Sequence, residues 1–153
     1  LKGPLHGGAP GPVLDMLDAV GAPENADAWV RAELDAGRRI MGMGHRVYRV
    51  RDPRAAVLEG AVAGLKTERL VLARAVEEAA ERVLAERYPS RPLRANVEFY
   101  TAILLEAVGL DRRLFTPMFA AGRVVGWLAH IAEERATGRI IRPSAEYVGP
   151  DCR

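Results

Sequence analysis

Three short stretches of this chain combine residue types that can move a proton or hold an anion. The first, LKGPLHGGAP, sets His6 on a corner built from Pro4, Pro10 and Pro12 and from Gly3, Gly7, Gly8 and Gly11. Proline fixes φ and glycine opens the backbone to close approach, so the imidazole is presented on a stiff, open turn. A loop that merely caps the entry to a helix would read the same way. The second stretch, MGMGHRVYRVRDPR, places His45 after Met41, Gly42, Met43 and Gly44 and ahead of Arg46, Arg49, Arg51 and Arg54. A glycine loop with exposed N–H groups, beside arginines and a helix N-terminus, suits an anion; a solvated basic turn has the same composition. The third, ANVEFYTA, puts Glu98 in the first turn of a helix. There a carboxylate serves either as a base or simply as the answer to the helix dipole.

The elements that must position these residues read as helices. Pro12 suits a first helical position; Val13, Leu14, Met16, Leu17 and Val20 follow on one side before Gly21 ends the run. A second helix is predicted over 26–36 with Gly37 as its stop. The stretch around His45 is too rich in glycine for a helix and predicts a turn or loop. Asp52 reads as an N-cap with Pro53 at the first position of a helix running to about Leu65. From Thr67 to Arg87, the residues Leu70, Ala73, Val76, Ala80, Val83 and Leu84 form an apolar stripe, and Glu77, Glu78, Glu81 and Arg82 are expected to face water. Asn96 caps a helix to about Val108, ended by Gly109. Thr116 and Pro117 open a last helix toward Thr137 and Gly138, and the tail RIIRPSAEYVGP reads as extended. The pattern is all-α, with no repeat of 20–50 residues.

Composition narrows the classes. With 153 residues, 49% of them hydrophobic, the chain can bury the core of one ordinary domain. A net charge of +2 with interleaved acids, and no basic run threaded with aromatics, argues against nucleic acid. No run of about 18 apolar residues stands out, so no membrane span is expected. The single cysteine, Cys152, has no internal partner for a disulfide and points weakly to a reducing compartment. Lys2 and Lys66 are the only lysines. Arginine dominance fits codon bias, heat tolerance, or bidentate pairing with carboxylate and phosphate.

Taken in order, the motifs GPLHGGA, GMGHRVY leading into DPRA, NVEFY, FAAGRVVGWLAH and IRPSAEYVGP resemble the C-terminal part of citrate synthases, from Gly3 to Gly149. The resemblance implies a citrate synthase-like, all-α fold. A small helical, coenzyme A-binding domain would occupy 1–111, and 112–153 would return to the large helical domain. Leu1 would not be the natural start, and the family's first oxaloacetate histidine would lie upstream of it. The 153 residues alone would then be inactive and prone to associate.

The resemblance also assigns roles. His6 matches the histidine that hydrogen-bonds the thioester carbonyl of acetyl-CoA, and His45 the one that polarises the ketone of oxaloacetate. Glu98 stands where the family usually has the aspartate that deprotonates the acetyl methyl. Arg54 and Arg123 match arginines that clamp oxaloacetate carboxylates, and Arg142 matches one that reaches the partner subunit's site in a homodimer. Arg49, with Met41, Gly42, Met43 and Gly44, matches the region that holds coenzyme A. The implied reaction condenses acetyl-CoA with oxaloacetate and hydrolyses citryl-CoA to citrate and coenzyme A, the entry step of the tricarboxylic acid cycle. A methyl beside a thioester is a very weak acid, so a base on one side and a donor at the oxygen suit that step. Neither metal nor cofactor is expected, since coenzyme A enters as the thioester substrate. Neither a membrane nor nucleic acid is an expected partner, and the expected compartment is the cytoplasm. Two alternatives stand beside this reading: a 2-methylcitrate synthase using propionyl-CoA, and a non-catalytic truncated interaction module. One extra methylene is worth only about 1–3 kcal/mol in a pocket, so the motifs do not separate the two acyl-CoAs.

Overall fold

The computed structural model describes residues 3, 8–65, 67–140 and 142–149. The described residues form six α-helices and two short 3₁₀ turns, with no strand. α1 spans Gly11–Val20, α2 Ala26–Asp35, α3 Pro53–Gly64, α4 Arg69–Arg87, α5 Val97–Ala107 and α6 Phe115–Thr137. The 3₁₀ turns, Pro23–Asn25 and Arg112–Leu114, lead into α2 and α6.

Helix ends fall where local chemistry demands them. α1 starts at Gly11 and Pro12 and ends at Gly21, whose φ of 74° and N–H bond to the Leu17 carbonyl close the last turn. Asp52 caps α3 by accepting from the Arg54 N–H, and Asn96 caps α5 by accepting from the Glu98 N–H. α6 opens one residue before Thr116, after the 3₁₀ turn capped by Asp111.

Two compact units divide the chain, 1–120 and 121–153. In the first, α3 packs chiefly on α5 and α2 on α4, while α1 lies against α5 and α4. The core is continuous: Val13, Leu14 and Leu17 of α1, Val30 of α2, Val76 and Val83 of α4, and Phe99, Tyr100 and Ile103 of α5 are all buried. Apolar residues at i, i+3, i+4 and i+7 place one face of α1 inward, and Ala26, Val30 and Leu34 do the same for α2. α4 buries a broader arc, from Leu70 and Leu72 to Leu84, because helices pack on more than one of its sides.

The expectation that Glu77 faces water is overturned. Its position, four residues after Ala73 and three before Ala80, lies inside the apolar stripe, and its carboxylate is buried against Arg51 and Tyr100. Glu81 is half-buried, with one oxygen bonded to the Ala95 N–H. The arginines find their use in such pairs. Arg82–Asp27, Arg31–Glu86 and Arg87–Asp35 stitch α4 to α2, and Arg69 and Arg112 gather Asp18 and Glu106. The α2–α4 pairs are exposed, so solvent screens them and each contributes little.

The second unit holds the rest of α6 and the described residues 138–140 and 142–149, which form neither helix nor strand. Val124, Val125, Trp127, Leu128 and Ile131 are exposed along its helix. The stretch Arg112–Thr137 is long and apolar enough, by length and composition alone, to cross a membrane; its mean hydropathy peaks at 1.2. Arg123 and His130 interrupt the apolar residues within it. Cys152 lies outside the described residues.

Candidate functional site

The glycines of MGMGH act through close packing. Gly42 has φ of 76° and Gly44 of 87°, values that L side chains rarely adopt. A Cβ on Gly42 would come within 2.9 Å of the Phe99 side chain, and one on Gly44 within 2.8 Å of Leu93. The absent side chains let residues 42–44 lie against 94–96 as a single antiparallel bridge, Met43 opposite Ala95. The Gly44 N–H donates to the Arg94 carbonyl at 2.7 Å, and the Asn96 N–H to the Gly42 carbonyl at 2.9 Å. The expectation of a loop rich in exposed N–H groups therefore needs correcting at Gly44, whose N–H is spent on this bridge.

Asn96 ties two candidate residues together. Its side-chain nitrogen donates to the Gly44 carbonyl at 2.9 Å, next to His45, and its oxygen accepts from the Glu98 N–H at 2.9 Å. One amide thus fixes the chain just before the imidazole and the first turn that carries the carboxylate. Glu98 itself is buried, although it sits at a helix start where a carboxylate more often faces solvent.

The ring of His45 has its tautomer set by its own loop. Nδ1 accepts from the N–H groups of Val47 and Tyr48, both at 3.0 Å, so in the neutral ring the proton is on Nε2. The Arg54 Nη2 lies 3.5 Å from that Nε2. Two donors therefore face one another, and an acceptor oxygen between them would satisfy both. Such an acceptor is what a carbonyl or carboxylate ligand brings.

Arg54 is held in place by Asp52. Nε bonds Oδ1 at 2.9 Å and Nη2 bonds Oδ2 at 2.6 Å, in a two-pronged pair. The Asp52 carboxylate is fully buried, and the same Oδ1 accepts the Arg54 backbone N–H. The side-chain bonds from Arg54 hold Asp52 below the ordinary carboxylate range, against burial, which acts the other way. In turn the Asp52 bond raises Arg54, with a smaller contribution from the charge of Glu98. The arginine keeps nearly half of its side chain exposed, and its Cζ stands 5.7 Å from the centre of the Tyr48 ring. The sequence marks Asp52 only as a cap; in the structure it caps the helix and orients the arginine at once.

The structure brings His45, Arg54, Glu98 and the 41–44 segment into one compact unit, with Arg49 exposed on the same loop. Arg123, on α6, and Arg142, exposed in the tail, belong to the second unit. His6 lies outside the described residues. Asn96 as a bridge, Asp52 as an orienting carboxylate and Tyr48 beside Arg54 are not marked as site residues by the sequence. Only their short spacing from His45, Arg54 and Glu98 hinted at them.

Fold and site together define an all-α domain in which an imidazole donor and a guanidinium face a common acceptor position. The family model for the citrate synthase C-terminal domain matches residues 1–144. The chain belongs to the citrate synthase family. It is 44% identical over 151 residues to citrate synthase 2 of Bacillus subtilis, covering 99% of this chain and 40% of that protein. The crystal structure of citrate synthase from Thermotoga maritima superposes with a TM-score of 0.82 at 38% identity, over 100% of this chain and 42% of that one. A ternary complex of carboxymethyl coenzyme A and oxaloacetate with citrate synthase from Thermoplasma acidophilum gives a TM-score of 0.82 at 33% identity, over 100% and 42%. The chain thus spans about two fifths of the length of the relatives it matches.

Proposed function

We propose that the protein carrying this chain is a citrate synthase, active as a homodimer in the cytoplasm, in contact with neither nucleic acid nor membrane. The observation that carries the reading is the His45 Nε2–H beside Arg54, within a domain that shares its fold and family with these enzymes. Glu98 takes a proton from the acetyl methyl of acetyl-CoA while His6 donates to the thioester oxygen. The resulting enolate carbon attacks the ketone carbon of oxaloacetate. The His45 Nε2–H polarises the ketone oxygen and meets the alkoxide as it forms. Water then cleaves the citryl thioester, releasing citrate and coenzyme A. Coenzyme A is part of a substrate in this scheme rather than a resident cofactor, and no metal has a part.

Arg54 and Arg123 clamp oxaloacetate carboxylates, and Arg142 serves the partner subunit's site. Arg49 and the 41–44 segment hold coenzyme A, within a coenzyme-binding domain of 1–111. Arginine suits the clamp because it cannot lose its proton there and presents a planar fork to a carboxylate. The test is thiol release by the purified intact protein given acetyl-CoA and oxaloacetate, run beside propionyl-CoA. A higher kcat/KM with acetyl-CoA supports the proposal. Preference for propionyl-CoA makes it a 2-methylcitrate synthase, and release with neither refutes an acyl-CoA condensation.

A further inference from the structure

We propose that Arg51 is a positioning residue for this chemistry: clamped between Glu59 and Glu77 over the Tyr100 ring, it sets where His45 and Arg54 stand. The inference rests on the reading of those two as the oxaloacetate-facing pair. Residues 44–52 form an arch whose two feet are pinned, Gly44 N–H to the Arg94 carbonyl and Asp52 N–H to the Ala95 carbonyl. Between the feet, the N–H groups of Val47 and Tyr48 bond only the arch's own His45 ring at the distances given above. Val47 and Val50 are 73% and 67% exposed, so the crown buries little apolar surface of its own.

Arg51 reaches inward from this arch to three helices. Its Nε bonds Glu77 Oε1 of α4 at 2.6 Å, and its Nη2 bonds Glu77 Oε2 at 3.0 Å and Glu59 Oε2 of α3 at 2.7 Å. Its Cζ lies 5.1 Å from the centre of the Tyr100 ring of α5. Each anchor is itself held: Tyr100 donates its hydroxyl to Glu77, and Arg74 Nε bonds Glu59 Oε1 at 2.7 Å. Two cations and two carboxylates balance, and burial of Glu77 keeps water from replacing the fork. Arg51 directly precedes Asp52, the residue that orients Arg54, and Tyr100 lies two residues beyond Glu98 on α5. The guanidinium therefore holds the arch in register with the helix that bears the carboxylate. A lysine, as a point charge, cannot reproduce a fork that bridges two carboxylates.

The experiment compares Arg51→Lys, Arg51→Met and Glu59→Gln in the intact protein, with helicity checked for each. Misplacing a reacting group by about 1 Å costs up to about 10²-fold, so kcat per folded molecule should fall about 10- to 100-fold in both Arg51 variants. Glu59→Gln, which keeps the Glu77 fork, should lose less. KM for acetyl-CoA should stay within about threefold, on the same argument that the arch rather than the acyl-CoA contacts has moved. Amide exchange at Val47 and Tyr48 should rise about tenfold or more in Arg51→Met, with the Gly21 amide at the end of α1 unchanged. A lower melting temperature with wild-type kcat marks Arg51 as structural only and overturns the proposal. Wild-type exchange at Val47 and Tyr48 overturns it equally, read in Arg51→Lys if the methionine variant does not fold. If the wild-type protein condenses no acyl-CoA, the functional reading fails by itself, and the exchange data still decide the role of Arg51.

Discussion

The two sides of the candidate site are held by different physics. Glu98 rides on α5, whose start is fixed by the Asn96 cap and whose next residues, Phe99 and Tyr100, are wholly buried. Its position follows from helix geometry and core packing. His45 lies at one end of the 44–52 arch, which has no regular structure, and Arg54 just past the other, in the first turn of α3; the bridge from the glycine-bearing 42–44 segment to Ala95, ion pairs and one ring nitrogen hold them. The helix side is cooperative and tolerates small losses. The arch side depends on a few polar contacts, each of which must be made in full, because a buried polar group without its partner is costly.

The largest effect expected is on the helix side. In the intact protein, Glu98→Gln should leave oxaloacetate binding nearly unchanged and lower kcat by about 10²–10⁴, the range for losing a general base. Glu98→Asp should lose activity too, since the carboxylate retreats by about one bond length of ~1.5 Å. Steady-state kinetics with oxaloacetate titrations check both, and wild-type turnover by the glutamine variant would reduce Glu98 to a helix-dipole residue.

On the arch side, Arg54→Lys should lower kcat/KM for oxaloacetate by about 10- to 100-fold, because a lysine cannot both pair with Asp52 and face the ligand. If this change were silent, the two-pronged Asp52 pair would be irrelevant to the site. Gly42→Ala strikes the contact between the two sides. With Phe99 2.9 Å from the new Cβ and φ at 76°, stability should fall by about 1–3 kcal/mol in chemical denaturation. Asn96→Ala removes the cap of α5 and the bond to Gly44 together, at about 1 kcal/mol for the cap. Its telling result is a fall in activity larger than the stability loss predicts.

The smallest effect is one of pH. Asp52 is held below its ordinary range when folded, so its stabilising contribution is complete above the unfolded carboxylate value of about 3.9 and is lost as pH falls through the lower folded value. Urea midpoints of the wild type and of Asp52→Asn, followed from pH 6 downward, should therefore converge in acid. Parallel curves would show that the Arg54 pair carries no linkage.

Periodicity and punctuation in the sequence determined the helices. Gly21, Gly37 and Gly109 do stand just beyond helix ends with positive φ, and Asp52 and Asn96 do cap, because these are local effects of backbone conformation and one side-chain bond. The family was legible as well, since its motifs are runs of neighbouring residues in a fixed order. The fate of Glu77 was not. A glutamate three residues from Ala80 reads as solvent-facing until Arg51, 26 positions earlier in the chain, is folded over it. Likewise the need for Gly42 and Gly44 lies in Phe99 and Leu93, and the protonated nitrogen of His45 in two amides of its own turn. Burial of a charge, close approach of two backbones and choice of a tautomer depend on which partners arrive from elsewhere, and only the tertiary structure decides that.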